Sequence, residues 1–242
     1  MHSAETVHTA LARAADGATG SEIARQLDVP RATVRGWLNG RVPHSALPGW
    51  PCEHDPTDLG NTYVYLLGLY LGDGCISTHR RGVHRLRINL DVKYPGIIAS
   101  AAEAISAVHP GPVLQQLRPQ NCVEVSSYWK CWPCVFPQHG PGRKHHRPIV
   151  LTEWQQKLVD RLPDHLLRGL IHSDGHRFHN TGRGNWSCPR YGFTNRSRDI
   201  REIFCRACDA LGLRWTASGE YVIYVSRKAD VARLDEFIGP KR

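Results

Sequence analysis

The chain has 242 residues, 41% of them hydrophobic, and its 31 Lys or Arg outweigh 22 Asp or Glu to give a formal net charge of +9. That length allows more than one folded unit, and no segment reaches the roughly 20 apolar residues of a membrane span. The N-terminus lacks the charged start and apolar run of a secretion signal, so a cytoplasmic protein is expected, its eight cysteines thiols rather than a disulfide framework.

In chain order, residues 1–42 come first, as a helix-turn-helix pattern. Ser21 to Leu27 places Ile23, Ala24 and Leu27 at helical spacing behind a Ser21 cap. Asp28-Val29-Pro30 then turns the chain, and RATVRGWLNG restarts a helix carrying Val34, Trp37 and Leu38. The pattern resembles the DNA-binding modules of bacterial regulators and recombinases, with Arg31, Thr33 and Arg35 where a recognition helix contacts bases. A helical hairpin used only for packing fits the same residues. Charge does not decide between them, because Met1 to Pro48 holds five arginines against four acids. Pro43, Pro48, Pro51 and Pro56 cannot continue a helix, so 43–60 is expected to be a stiff, extended linker.

Residues 61–242 repeat one plan, repeat one over 61–150 and repeat two over 151–242. LLGLYLGDG at Leu66–Gly74 and LRGLIHSDG at Leu167–Gly175 are helical patterns that stop at Asp-Gly, which makes Asp73 and Asp174 equivalent positions. After the first, apolar periodicity gives a strand near Val83–Val92, a helix near Pro95–Val108 and a hairpin near Val113–Trp129. After the second it gives a strand near Ser187–Thr194, a helix near Ser197–Leu213, a hairpin near Trp215–Arg227 and a last helix near Ala229–Ile238.

Gly68 and Gly72, and Gly169 and Ser173, stand four residues apart, so each pair makes a small-residue face along which two helices can approach closely. Side by side, such helices bring Asp73 near Asp174. Two carboxylates at helix C-termini meet the negative end of each dipole and repel one another, which favours a hard divalent cation between them. For a single copy, Asp-Gly as an ordinary helix stop is the simpler reading; two matched copies favour a paired acidic site.

The basic surplus follows the motifs. Between Ile76 and Arg147 there are ten Lys or Arg against three acids, and from Gly175 to Arg198 five arginines and no acid. Arg85 and Arg87 alternate along VHRLRINLDV and share one strand face. That face meets phosphates and base edges, or is an ordinary solvated surface; its recurrence after each motif favours double-stranded DNA.

Both nine-residue segments resemble the LAGLIDADG motif of the homing endonucleases, with Asp73 and Asp174 at the position of the family's catalytic acid. The sixth position, often acidic in that family, is Leu71 in one copy and His172 in the other. The resemblance implies an α+β fold: two αββαββα units pairing as a pseudo-dimer within one monomer, motif helices at the interface and a four-stranded antiparallel sheet on each side forming a saddle. FPQHGPGRKHHRPIVLTEWQ resembles the segment before the second motif of intein-type homing endonucleases, where a lysine is followed by Ile and a helix. By that match Lys144 takes the place of the family's central lysine, either positioning or deprotonating a water or clamping phosphate. Lys228, after the second hairpin, is its candidate counterpart.

The resemblance thus implies a magnesium-dependent, sequence-selective DNA endonuclease. Asp73 and Asp174, with the carbonyls of Gly72 and Ser173, would hold the metal for a staggered double-strand break. Arg31, Thr33, Arg35, Arg85, Arg87, Arg143, Arg147, Arg177, Arg190 and Arg196 are the expected DNA contacts. The alternative is a transcriptional regulator on the same scaffold that no longer cuts, and a one-strand nickase is a third possibility. Retention of both acids favours the enzyme, since a binding surface gains nothing from two anions near phosphates. Cys131 and Cys134 of CWPC have the spacing to begin a zinc site, but no second pair follows at the usual spacing and zinc is not expected.

Overall fold

A computed structural model describes residues 4–41, 60–182, 187–239 and 241. The chain divides into two compact units, Met1–His54 and Asp55–Arg242.

The first unit holds three helices among its described residues: α1 (Ala4–Ala15), α2 (Gly20–Gln26) and α3 (Arg31–Leu38). Val7, Ala10, Ile23, Ala24, Val29, Val34 and Trp37 form its core. The cap of α2 is Thr19 rather than Ser21. Thr19 Oγ1 accepts from the Glu22 amide, while the Glu22 carboxylate accepts from the Thr19 amide at 2.8 Å, a reciprocal arrangement that moves the helix start two residues earlier. Asp28 adopts φ 52° in the turn before Pro30, a backbone conformation its short polar side chain tolerates. The linker expected at 43–60 lies outside the described residues except for Gly60.

The second unit is built twice. Its first half runs α4 (Gly60–Asp73), β1 (Gly74–Thr78), β2 (His84–Asp91), α5 (Pro95–Val108), β3 (Val113–Arg118), β4 (Cys122–Trp129) and the short α6 (Trp132–Val135). After α7 (Glu153–Arg161), the second half runs α8 (Pro163–Asp174), β5 (Gly175–Thr181), β6 (Ser187–Thr194), α9 (Arg198–Ala210), β7 (Trp215–Ser218), β8 (Val222–Val225) and α10 (Lys228–Ile238). The sheets are antiparallel, ordered β1-β2-β4-β3 and β5-β6-β8-β7. Periodicity anticipated three strands per half; the additional ones, β1 and β5, leave directly from the motif helices.

One core joins the two halves. Residues Tyr63 to Leu71 of α4 are all buried, as expected of a helix enclosed by neighbours. Leu86, Ile88 and Leu90 alternate on the inner face of β2. Trp132 is fully buried and donates to the Ser127 carbonyl, and Trp154 lies against Tyr63, so both tryptophans serve packing.

The small-residue faces meet as their spacing predicts. A Cβ on Gly68 would come within 2.6 Å of the Leu166 carbonyl oxygen and 2.8 Å of the Gly169 Cα, and one on Gly169 would strike the Tyr65 carbonyl. These are backbone atoms, which cannot swing aside. Gly169→Val is therefore expected to cost roughly 3 kcal/mol or to prevent folding, measured by urea unfolding; an unchanged midpoint would mean the helices separate freely.

The sixth motif positions are occupied by core side chains. Leu71 is buried, and His172 bridges three elements, its ring nitrogens 2.9 Å from Tyr65 Oη and 3.0 Å from the Ile238 carbonyl oxygen. Burial holds this imidazole down at about 4, so it is neutral at physiological pH. His172→Leu leaves Tyr65 and Ile238 without that bridge and is expected to lower stability by about 2 kcal/mol in the same assay. No helix among the described residues is long and apolar enough to cross a membrane.

Candidate functional site

The motif helices end where their strands begin, with no loop between. A Cβ on Gly74 would lie 2.8 Å from the Tyr70 carbonyl oxygen, and one on Gly175 would lie 3.0 Å from that of Ile171. Gly175 has φ −104°, and Gly74 is likewise outside the left-handed region. The glycines therefore let each strand fold tightly back over its helix, rather than supplying a left-handed cap. This fixes Asp73 and Asp174 at the two tips. A Cβ on Gly72 would sit 3.1 Å from Asp174 Oδ2, so the tip of one helix lies against the acid of the other.

Burial raises both carboxyls above their ordinary range. For Asp73 the repulsion of Asp174 adds to burial and brings it up to about 7. Asp174 is raised by burial but is better satisfied, since Asn195 Nδ2 donates to its Oδ2 at 2.6 Å.

Two lysines oppose this repulsion. Lys144 Nζ donates to the last carbonyls of α4, those of Tyr70, Leu71 and Gly72, at 3.0 Å for the latter two. It also lies 4.8 Å from the Tyr70 ring centre. Burial lowers this ammonium to about 8, while Asp174 and Asp73 draw it upward. Lys241 Nζ does the same for α8, donating to the Gly175 carbonyl at 2.5 Å with that of Ser173 at 3.5 Å. Cations at helix C-termini complement the dipole. The Gly72 and Ser173 carbonyls, expected to face a metal ion, thus face lysine ammoniums.

Lys228, expected to be the counterpart of Lys144, opens α10, and the lysine that bonds to the end of α8 is Lys241. Chain spacing marks Lys241 as well. Lys144 follows Asp73 by 71 residues and Lys241 follows Asp174 by 67, and each stands two residues after a glycine, Gly142 or Gly239. Both glycines take positive φ, 77° and 70°, turning the chain so that the lysine reaches back over a helix end.

The acids sit in a cleft of about 560 Å³ whose polar lining includes Asn89, Arg143, Lys144, His145, Asn195 and Arg196. Register places Asn89 on the outer face of the first sheet, opposite Glu124, and Thr194, also in the lining, on that of the second. The cleft therefore opens between the two outer sheet faces.

The expected basic contacts divide into three groups. Arg143 and Arg196 are exposed beside the acids, Arg196 lying 5.7 Å from the Tyr221 ring centre. Arg85, Arg87 and Arg190 lie on outer sheet faces; Arg85 is bound to Glu124 at 2.6 Å, and Arg190 stands 5.8 Å from the Tyr224 ring centre. Arg177 and Arg147 point elsewhere. Arg177 shares the inner face with Tyr191, pairing with Asp235 at 2.8 and 2.9 Å, because strand parity sends it away from Arg190. Arg147 donates to the Gln138 carbonyl and pins the loop. In the first unit Arg31 and Arg35 are exposed on α3 and Thr33 is half-buried.

Cys131 is disulfide-bonded, which departs from the expectation that every cysteine is a thiol and leaves CWPC without two thiolates for a metal. Cys75, Cys122, Cys134, Cys188, Cys205 and Cys208 are free.

Residues 1–40 match a family model described as a homeodomain-like domain, HTH_23. A sequence search of curated proteins finds no match. Among solved structures, the homing endonuclease I-WcaI bound to its DNA recognition sequence is similar over 81% of this chain and 92% of its own, at 12% identity and TM-score 0.50. Mesophilic variants of the homing endonuclease I-DmoI align over 76% of this chain and 98% of theirs, with 14% identity and TM-score 0.47. The N-terminal LAGLIDADG domain of DUF199/WhiA aligns over 78% and 84%, with 11% identity and TM-score 0.44. The chain has the LAGLIDADG fold, with a helix-turn-helix unit before it.

Proposed function

We propose that the chain is a metal-dependent, sequence-selective DNA endonuclease that makes a staggered double-strand break, acting in the cytoplasm as a monomer whose two halves serve as a dimer. One observation carries the reading: two raised, half-buried carboxylates meet at the tips of paired helices in a cleft flanked by exposed arginines and by two sheet faces. The net charge of +9 and the DNA-bound state of I-WcaI support a DNA partner.

The donor set fits a hard divalent ion. Carboxylates held above their ordinary range by burial and mutual repulsion are short of positive charge, and magnesium needs only one or two of them when substrate phosphate supplies further oxygens. Asp73 and Asp174 would hold it, and bound there it would polarise a phosphate and acidify a water. Asn195 fixes the Asp174 carboxylate. Lys144 and Lys241 hold the helix tips in place and offset charge, and the bonds of Lys144 to three carbonyls argue against its abstracting a proton. Arg143 and Arg196 stand where a phosphate backbone entering the cleft would meet them.

Purified protein incubated with a randomised duplex library should give staggered ends in magnesium and bound, intact duplexes in calcium. Recovery of bound but intact duplexes in both would favour a non-cleaving regulator. That second reading has one observation in its favour: two lysines supply counter-charge at the acids without any metal. The helix-turn-helix would extend recognition. Arg31→Ala combined with Arg35→Ala is expected to weaken binding to the recovered duplex about tenfold in a gel-shift titration, with cutting of saturated complex unchanged; equal affinity would leave that unit as packing.

A further inference from the structure

The outer face of the first sheet carries a charge cluster that the proposed cutting chemistry does not use. Glu124 on β4 is 5% exposed at its side chain, yet three arginines converge on it. Arg85 Nη2 donates to Glu124 Oε1 at 2.6 Å and to Ser126 Oγ at 3.0 Å, and Arg118 Nη2 donates to the same carboxylate oxygen at 2.7 Å. Arg87 Nη1 lies 3.9 Å from Oε2. Register explains the meeting: Arg87 pairs with Ser126, Asn89 with Glu124 and Gln116 with Glu124, so β2 and β3 flank the acid from both sides.

Stability is a poor reason for this arrangement. Three guanidinium groups share one carboxylate, and the Nε–H groups of Arg85 and Arg87 are buried without an acceptor. Burying charge and orphaning donors both cost free energy, and well-packed apolar residues in such places are often as stable or more so. A simple electrostatic clamp is also a poor reason, because an acid at its centre weakens attraction for phosphate. What the carboxylate supplies is orientation, since charge-assisted bonds from Arg85 and Arg118, with Arg87 drawn in at 3.9 Å, gather the three guanidinium groups on one face. A fixed plane matters where arginine meets the O6 and N7 edge of guanine, and matters little for a phosphate, which a lysine serves as a point charge. The second sheet differs, with Arg190 beside Tyr224 and His176 stacked on Phe178 at 5.0 Å.

We infer that Glu124 is a positioning residue that sets Arg85, Arg87 and Arg118 as a guanine-reading array over one half of the DNA site. The inference rests on the proposed function only in holding that the outer sheet faces meet DNA. It is tested by fluorescence anisotropy in calcium, with the duplex recovered from the library and a scrambled duplex of the same length. Glu124→Gln is expected to bind the scrambled duplex more tightly, with a slope of log affinity against log salt steeper by about one. Its preference for the recovered duplex should fall roughly tenfold. Arg85→Lys keeps the charge, and its ammonium can still reach Glu124 and Ser126 as the single Arg85 Nη2 does, but it presents no guanidinium plane to a base edge; it should lose the same preference with the salt slope unchanged. Folded variants, judged by thermal unfolding, that keep the wild-type preference overturn the role of Glu124, and if Glu124→Gln does not fold, Arg85→Lys decides alone. A wild-type protein that binds neither duplex overturns the endonuclease reading as well, which separates the two failures.

Discussion

Asp73→Asn is expected to make the metal-free protein more stable while abolishing its cutting of DNA. The Asp73 carboxyl is raised to about 7 by burial and by the facing Asp174, so between the ordinary carboxylate range and that value the folded state binds protons more tightly than the unfolded chain. The linked stability is fully present below about pH 4 and is lost as pH rises towards 7, at up to roughly 1.4 kcal/mol per pH unit. Wild-type protein in chelator should therefore weaken across that window, and the asparagine variant should lose that decline and gain a few kcal/mol at pH 8. Asp174→Asn should gain less, because Asn195 already satisfies that carboxylate. In magnesium, each substitution should slow cutting of the recovered duplex by roughly a thousandfold or more. A destabilised Asp73→Asn protein would mean that the carboxylate is held by favourable partners; one that still cuts would remove Asp73 from the chemistry.

Lys144→Met should act in the opposite direction on the fold. It strips three carbonyls at the end of α4 of their donor and leaves two facing carboxylates with less counter-charge. Losing one member of a buried charged group costs about 3 kcal/mol, read as a lower unfolding midpoint in chelator. Magnesium should then raise the midpoint more in this variant than in wild type, because an ion at the acids replaces the missing charge. Lys241→Met should show the same pattern with smaller amplitude, since fewer carbonyls depend on it. An unaltered midpoint, or the same magnesium effect in wild type and variant, would show that the lysines do not balance the acids.

What the sequence made legible follows from the range of the interactions involved. The helix expected at Pro95–Val108 and the strand at Ser187–Thr194 are found at those residues, because each carries its own periodicity. Strands β1 and β5 do not: GCIST is only five residues long, and GHRFHNT is polar apart from Gly175 and Phe178 and mostly exposed beyond Gly175. Asp73 and Asp174 were readable because the repeat is local. Lys241 is marked by a similar chain distance, 67 residues against 71, and by a glycine two residues before it, yet Lys228 follows the hairpin more closely in sequence and competes for the same reading. The pairing of Arg177 with Asp235 and of Arg85 with Glu124 spans 58 and 39 residues. A strand face also inverts with each one-residue step, so neither direction could be read without register.

The proposed endonuclease requires the two helix tips to hold one divalent cation between them for use on DNA. Manganese, as a paramagnetic stand-in for magnesium, can be titrated into wild type and into the Asp73→Asn, Asp174→Asn double variant, each on the recovered duplex, with free ion followed by electron paramagnetic resonance. Wild type should take up the ion, and the double variant should lose that uptake while still binding the duplex. Equal uptake by both proteins, or cutting by a wild type that takes up none, would contradict it.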